Sequence, residues 1–336
     1  MTITKRYDAI DLFRVIAAIL VLGIHSEMIR NSGILGEIIN VYFGRIAVPF
    51  FLLITGYFVL GNVNFDNYNF VPKMKKRIIR LLKMYIFWMI VYLPLGLVQN
   101  FQGITGLKAA LLILKSLIIS PLGWGPGWYI LTTIISLVFI SYMMVKKNKK
   151  ALTLISVILY LVFTLLSGYT SLLSFIPHVD QIVSWFPLYT SFIAGIPWMF
   201  AGMFVKKNQV TISLWWILPA LVGFVVENSL IQRYGLGHSA SYTFFLFPLS
   251  LLIFMGLLKI PNTPIINAEI SAYARSISSI IYVIHIYTLA LVNKFLPANI
   301  DGFLFLVITV AVTFLIAHAY YELSKLPLFG SLRMTY

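Results

Sequence analysis

The chain has 336 residues, of which 60% are apolar and only 10% charged, and its mean hydropathy is +0.93. A water-soluble fold is excluded: apolar runs of about 20 residues recur from end to end, each long enough to cross a hydrocarbon core of roughly 30 Å. The 25 Lys and Arg outnumber ten Asp and Glu to give a net charge of +15, but they lie in short loops between apolar runs. There they orient the chain and meet anionic head groups, so the expected partner is the lipid bilayer and not nucleic acid. The absence of cysteine excludes disulfides, thiolate metal sites and a Cys nucleophile, and no metal site is expected.

The first apolar run follows Lys5 and Arg6 as a signal peptide would. Asp11 and Arg14 interrupt it, however, and no small-residue cleavage site follows, so it reads as a retained first span. Spans are predicted at 9–27, 41–61, 80–98, 128–145, 151–168, 188–205, 213–231, 241–258, 276–293 and 303–323. The shorter stretch 107–119 carries Lys108 and Lys115 and stops at Pro121, which suits an interfacial or re-entrant helix. With the N-terminus inside, the inner segments carry 18 Lys and Arg and the outer segments five. That asymmetry favours ten spans with both termini cytoplasmic. The expectation is therefore an all-α, polytopic membrane protein forming one membrane domain over 1–336.

Charge inside a membrane is costly enough that each ionisable residue there is a candidate site. Arg14 and His25 lie eleven residues apart on the first span, about three turns and roughly 16 Å of rise, so they share a face. Ala18 and Val21 fill the stripe between them. Asp11 is one turn before Arg14 and within reach of it; an interfacial ion pair with an end-of-helix histidine is the structural alternative. Ahead of the third span, Lys73, Lys75, Lys76, Arg77 and Arg80 form a cationic group fit for a phosphate-rich ligand from the cytosol, or for ordinary anchoring. Arg45 enters the second span from outside, ahead of Pro49, Thr55 and Gly56, and Glu227 is near the outer end of the seventh. With His25 they form a cation, an anion and an imidazole that complement a zwitterion: Arg45 for a carboxylate, Glu227 for an ammonium. The same set also suits deprotonation of a hydroxyl, and an Arg45 to Glu227 ion pair is the structural alternative. On the ninth span Ser278, Tyr282, His285 and Thr288 follow helical spacing as a polar stripe. Gly123, Gly125, Pro126 and Gly127 suit a turn at the membrane interface, with Trp128 and Tyr129 in an aromatic belt.

The spacing of Asp11, Arg14 and His25 resembles the first-span signature of the acyltransferase-3 family of ten-span membrane proteins. So do Arg45 to Phe51 followed by Thr55, Gly56 and Tyr57; Lys76, Arg77 and Arg80 with Leu81 and Leu82; and Ile281, Tyr282 and His285. Within that family, Val48 to Tyr57, Glu227 to Ser229 with His238 and Phe245 to Pro248, and His285 to Thr288 are similar to the membrane domain of VanT-type serine racemases of vancomycin resistance. The resemblance implies a bacterial plasma membrane, no cofactor in the membrane domain, and a fused cytosolic racemase domain, expected after 336, that uses pyridoxal phosphate. This chain alone is then not expected to racemise serine. The resemblance also implies one of three roles. As a supplier of L-serine, the chain would bind substrate with Arg45, Glu227, His25, His285 and Tyr282. As an acyl-coenzyme A-dependent O-acyltransferase, it would use His25 and Arg14 in catalysis and Lys73, Lys76, Arg77 and Arg80 on acyl-CoA. The third role is a membrane anchor. Two departures weigh against coenzyme A chemistry: an Arg-x-x-x-Arg pattern is met only as Lys73 to Arg77 or Lys76 to Arg80, and Pro126 stands where a His often precedes the fourth-span Trp.

Overall fold

In the computed structural model, residues 6–26, 29, 31–100, 106–118, 125–237, 239, 241–262, 265–297 and 299–336 are described, and among them there is no strand. The helices are α1 (Asp8–Ile24), α2 (Ile34–Leu60), α3 (Val71–Asn100), α4 (Gly106–Ile118), α5 (Trp128–Val145) and α6 (Lys149–Gly168). They continue with α7 (Val179–Trp185), α8 (Ile196–Lys207), α9 (Ile217–Tyr234), α10 (Leu246–Lys259), α11 (Ala268–Phe295) and α12 (Gly302–Leu323). Among the described residues, seven helical segments are long and apolar enough to cross a membrane, those of α2, α3, α5, α6, α9, α11 and α12. Three predicted spans correspond to shorter helices: α1 with 17 residues, α8 with 12 and α10 with 14. The protein is an all-α, multi-pass membrane protein.

Local chemistry explains where the helices depart from the apolar runs. The run 188–205 is helical only from Ile196, after a 3-10 turn at Leu188–Thr190. Pro197 presets the first helical turn, and the Gly195 N–H just before it donates to Thr132 Oγ1 at 2.7 Å. The run 241–258 becomes helical only at Leu246 because the preceding amides are engaged elsewhere: Tyr242 N donates to Ser167 Oγ at 3.1 Å, and the Phe244 and Phe245 amides donate to Glu227. The cationic group ahead of the predicted span is itself helical: it forms the first turns of α3, which starts at Val71. Side chains cap α11, where Asn267 accepts from Ile270 N at 2.8 Å, and α12, where Asp301 accepts from Phe303 N and Leu304 N at 3.0 Å each.

Two contacts organise the bundle. α1 packs along α11, fastened by a buried polar cluster: Ser271 Oγ donates to Asp8 at 2.9 Å and to Asp11 at 2.8 Å, and Arg275 pairs with Asp11. α2 packs against α8 backbone to backbone, because a Cβ on Gly56 would run into the Met199 carbonyl and one on Gly202 into the Leu53 carbonyl. Small residues that let helix backbones touch are the usual means of association where lipid supplies no hydrophobic drive. One end of the bundle is rich in cations. There Asn262 donates to the Arg6 carbonyl, Lys207 to that of Val63, Lys259 to that of Ile212 and Lys149 to Asn208 Oδ1. The C-terminus of α1 with His25 reaches the opposite end.

Candidate functional site

At that opposite end, a small, partly open cavity of about 140 Å³ lies between α1, α2, α5, α8 and the segments before α8 and α10. Its polar and aromatic lining is His25, Arg45, Trp128, Tyr189, Thr190, Trp198, Ser241 and Tyr242. His25 caps the C-terminus of α1, one residue past the last helical turn. Arg45 sits on α2 just after a π-helical segment, Ile38–Phe43. Its Nε donates to the Asn40 carbonyl within that segment, and Nη1 donates to Ser241 Oγ at 3.2 Å. π-helical turns are uncommon and gather at functional sites. Pro49, one turn further on, lacks the N–H that would otherwise return to the Arg45 carbonyl.

The far wall is fixed by hydrogen bonds. Tyr242 OH donates to the Ala194 carbonyl and receives Trp198 Nε1 at 3.0 Å. Ser241 is held by Ser239 at 2.6 Å. Glu227, buried on α9, accepts from Tyr169 OH at 2.6 Å, Phe244 N at 2.7 Å and Phe245 N at 2.8 Å. Burial and this carboxylate push the Tyr169 phenol above its usual range. The structure thus brings Arg45 and His25 together but does not bring Glu227 to Arg45; Glu227 pins the segment that presents Ser241 and Tyr242.

The polar stripe of α11 faces inward, with Ser278, Tyr282, His285 and Thr288 all buried. The His285 ring lies 5.3 Å from that of His25, so the histidines predicted on spans one and nine meet. His285 Nδ1 is 2.6 Å from the Tyr282 carbonyl. A carbonyl only accepts, so Nδ1 carries the proton and, in a neutral ring, Nε2 is a bare acceptor. That Nε2 is buried with no hydrogen-bond partner among the described residues, an orphan that calls for a water, a proton donor or a ligand. Tyr282 OH donates to the Pro126 carbonyl at 2.6 Å and so ties α11 to the turn before α5. Thr288 shares a 2.7 Å hydrogen bond with Thr313 of α12. Further down α1, Arg14 Nε is 3.8 Å from Asp11 and has no hydrogen-bond partner, although it is buried. Asp11 is engaged chiefly by Arg275 and Ser271.

The cationic group divides. Lys73 and Arg77 line a cavity of about 520 Å³ at the cation-rich end together with Asn62, Asn64, Asn67 and Asn69. Arg80 instead donates to the Tyr336 carbonyl at 3.0 Å, and Lys76 is exposed beside neither. His238, which carried part of the resemblance, lies outside the described residues, as do Gly123 and Trp124. Sequence reasoning missed Tyr189, Thr190, Trp198, Ser241 and Tyr242, and assigned Trp128 only to an aromatic belt. For Tyr189, Thr190 and Trp198 the visible signal was Pro187 just ahead of the predicted run 188–205, with Gly195 and Pro197 inside it.

A profile of the acyltransferase-domain family matches residues 7–322. The chain belongs to that family. It is 26% identical over 337 residues to an amino-acid racemase of Enterococcus faecalis, a match covering 95% of this chain and 47% of that protein. It is also 26% identical over 269 residues to a serine/alanine racemase of Enterococcus gallinarum, covering 72% of this chain and 37% of that protein. The chain therefore spans less than half the length of the curated relatives it matches. No solved structure matches.

Proposed function

We propose that this acyltransferase-family membrane domain admits L-serine to a cytosolic racemase, through the cavity between His25 and Arg45. The observation that carries this reading is the cavity's scale and chemistry. At about 140 Å³ it fits a small amino acid and falls well below the roughly 300 Å³ at which drug-sized ligand sites begin. Arg45 offers a guanidinium for the substrate carboxylate, in a planar fork suited to two parallel hydrogen bonds. Among the described lining residues there is no carboxylate for the ammonium. The rings of Trp128, Tyr189, Trp198 and Tyr242 take that part through cation–π attraction, with Ser241 Oγ beside Arg45 for the serine hydroxyl. The substrate then passes His25 and the bare Nε2 of His285, toward Arg14. No cofactor is needed for this step; pyridoxal phosphate would serve only the racemase that receives the serine.

The test is uptake of labelled L-serine into proteoliposomes, against empty vesicles. Saturable uptake that falls in Arg45→Ala is the expected result, and uptake untouched by that substitution overturns the assignment.

A second reading, acyl-coenzyme A-dependent O-acyl transfer with His25 as base, is favoured by the cavity of Lys73 and Arg77, whose size and asparagine lining suit a nucleotide phosphate. Titration of the purified protein with coenzyme A decides it. Binding that Lys73→Ala and Arg77→Ala abolish supports acyl transfer, and absence of binding removes it.

A further inference from the structure

A long apolar groove runs down the outside of the bundle between α6, α8 and α10, separated from the Arg45 cavity by Tyr160 and Phe247, whose rings pack on Trp198 and Tyr242. It encloses about 550 Å³, and its walls include Val157, Leu161, Phe200, Ala201, Phe204 and Leu251. A second apolar hollow of about 460 Å³ continues it around Phe247, Pro248 and Leu251 towards Trp216 and Pro219. Two features set this groove apart from an ordinary lipid-facing surface. At its cation-rich end stand two lysines without a carboxylate partner among the described residues. Lys149 Nζ donates to Asn208 Oδ1 at 3.1 Å and lies 5.5 Å from the Phe204 ring. Lys259 Nζ donates to the carbonyl of Ile212, which lines both hollows, at 3.0 Å. Both use one of three N–H donors on a neutral acceptor and keep their charge uncompensated. The second feature is Ser156, which lines the groove with a buried hydroxyl that has no hydrogen-bond partner among the described residues. It follows Lys149 by seven residues, about 10 Å of helix rise.

We propose that this groove holds one acyl chain of an anionic phospholipid, whose phosphate is met by Lys149 and Lys259. The interfacial layer of a bilayer is roughly 5–8 Å deep on each side. With the phosphate at the lysine ammonium groups, the acyl ester falls near the level of Ser156, whose hydroxyl can donate to the ester carbonyl. The chain then follows Val157 and Leu161 over the face of Phe200 and Ala201. Charge selects the head group and the apolar walls take the chain, the division of labour seen wherever a basic rim meets an acyl groove. The side involved is the one the distribution of Lys and Arg assigns to the cytoplasm, where the anionic lipids that such lysines attract are found.

Native mass spectrometry of the full chain, released from nanodiscs of equal phosphatidylcholine and phosphatidylglycerol, reads the retained lipid directly. The expected result is retention of phosphatidylglycerol over phosphatidylcholine. A Lys149→Gln, Lys259→Gln double variant should bring that ratio back towards one, each lysine being worth about a fivefold preference. Ala201→Phe, which fills the groove and leaves both lysines in place, should remove one retained lipid of either kind. Should Ala201→Phe not fold, a photoactivatable phosphatidylglycerol added to the unaltered protein reads the same site. Labelling of peptides carrying Val157, Leu161 and Phe204 supports the proposal, and even labelling of the outward residues Leu154 and Ile158 overturns it. Equal retention of both lipids by the unaltered protein overturns the charge selection. Burial of the groove in a dimer of this chain, seen as a doubled mass without retained lipid, overturns the lipid itself.

Discussion

The cavity around Arg45 and the cavity around Lys73 and Arg77 lie at opposite ends of one bundle and are held in opposite ways. At the Arg45 end nearly every polar group is anchored: Tyr242 between Ala194 and Trp198, Ser241 by Ser239, and the segment behind them by Glu227. The aromatic walls are buried, Trp198 at 1% exposure and Tyr242 at 3%. At the other end the polar lining is four asparagines and two long cations, all exposed, beside Val59, Val63, Phe70 and Met74, in a cavity nearly four times larger. A small, rigid, largely desolvated cavity can select one zwitterion, because each misplaced polar atom in it loses its hydrogen bonds outright. A wide, wet, cationic one attracts phosphate without choosing much beyond charge. α1 links the two, with Asp11 near one end and His25 at the other.

Loosening α1 is the most drastic way to break this contrast. Asp11 is a buried carboxylate that receives Arg275 and Ser271. Asp11→Ala removes the counter-ion of Arg275, whose side chain is 44% exposed, and of Arg14, whose buried Nε lies 3.8 Å away, and should cost about 2–4 kcal/mol, read as a lowered midpoint in a denaturant titration in detergent. Asp11→Asn, which keeps an acceptor for Ser271, should lose less. An unchanged midpoint in Asp11→Ala would show that α1 is held against α11 by apolar packing alone.

The next effect belongs to the small cavity. If Arg45 binds a carboxylate away from water, Arg45→Ala should raise the half-saturating serine concentration by about 100-fold, the equivalent of roughly 2.7 kcal/mol. Arg45→Lys should recover only part of it, since an ammonium cannot make two parallel hydrogen bonds. Uptake kinetics of the three proteins give the answer, and a lysine variant as good as the parent would argue for a plain positive charge.

Glu227→Gln sharpens the contrast more gently. The amide keeps one acceptor oxygen but turns an NH₂ towards a backbone N–H, so one of the amides of Phe244 and Phe245 loses its partner. The stability loss should be about 1.5–3 kcal/mol, with a smaller change in serine affinity. If affinity falls more than stability, Glu227 binds the ammonium of the substrate directly, as the sequence by itself suggested.

Much of this was legible in the sequence wherever a polar residue breaks an apolar run. Arg14 and His25 on α1 and the Ser278, Tyr282, His285 and Thr288 stripe on α11 stand out because charge and hydrogen-bonding groups are rare in lipid, and the two histidines do meet. Pairings between distant elements were not legible. Nothing in the spacing says that Glu227 takes the amides of Phe244 and Phe245 instead of Arg45, because those amides become available only when α10 starts five residues later than its apolar run. Nor does hydropathy separate a helix from the turns at 188–195, since both are apolar; Pro197 marks the true start. The third span differs in another way: hydropathy starts it at residue 80, but long cationic side chains extend a helix beyond the hydrocarbon and snorkel to its edge, so α3 runs unbroken from Val71.

The smallest expected effect is the most informative about the two ends. If serine passes through the Arg45 cavity and the Lys73 and Arg77 cavity only meets anionic head groups, the double variant Lys73→Ala, Arg77→Ala should leave the half-saturating serine concentration within about twofold. Exposed cations on a solvated face contribute little to a neutral zwitterion's passage. Under acyl transfer the same pair would hold coenzyme A phosphates, and removing two charge-assisted contacts of about 1.5–3 kcal/mol each would weaken coenzyme A binding at least 100-fold. Measuring serine uptake and coenzyme A binding on one preparation of this variant therefore separates the readings. Unchanged uptake with no coenzyme A binding in the parent assigns the working site to the Arg45 end. Lost coenzyme A binding moves it to the length of α1 between the two cavities, where His25 and His285 face each other.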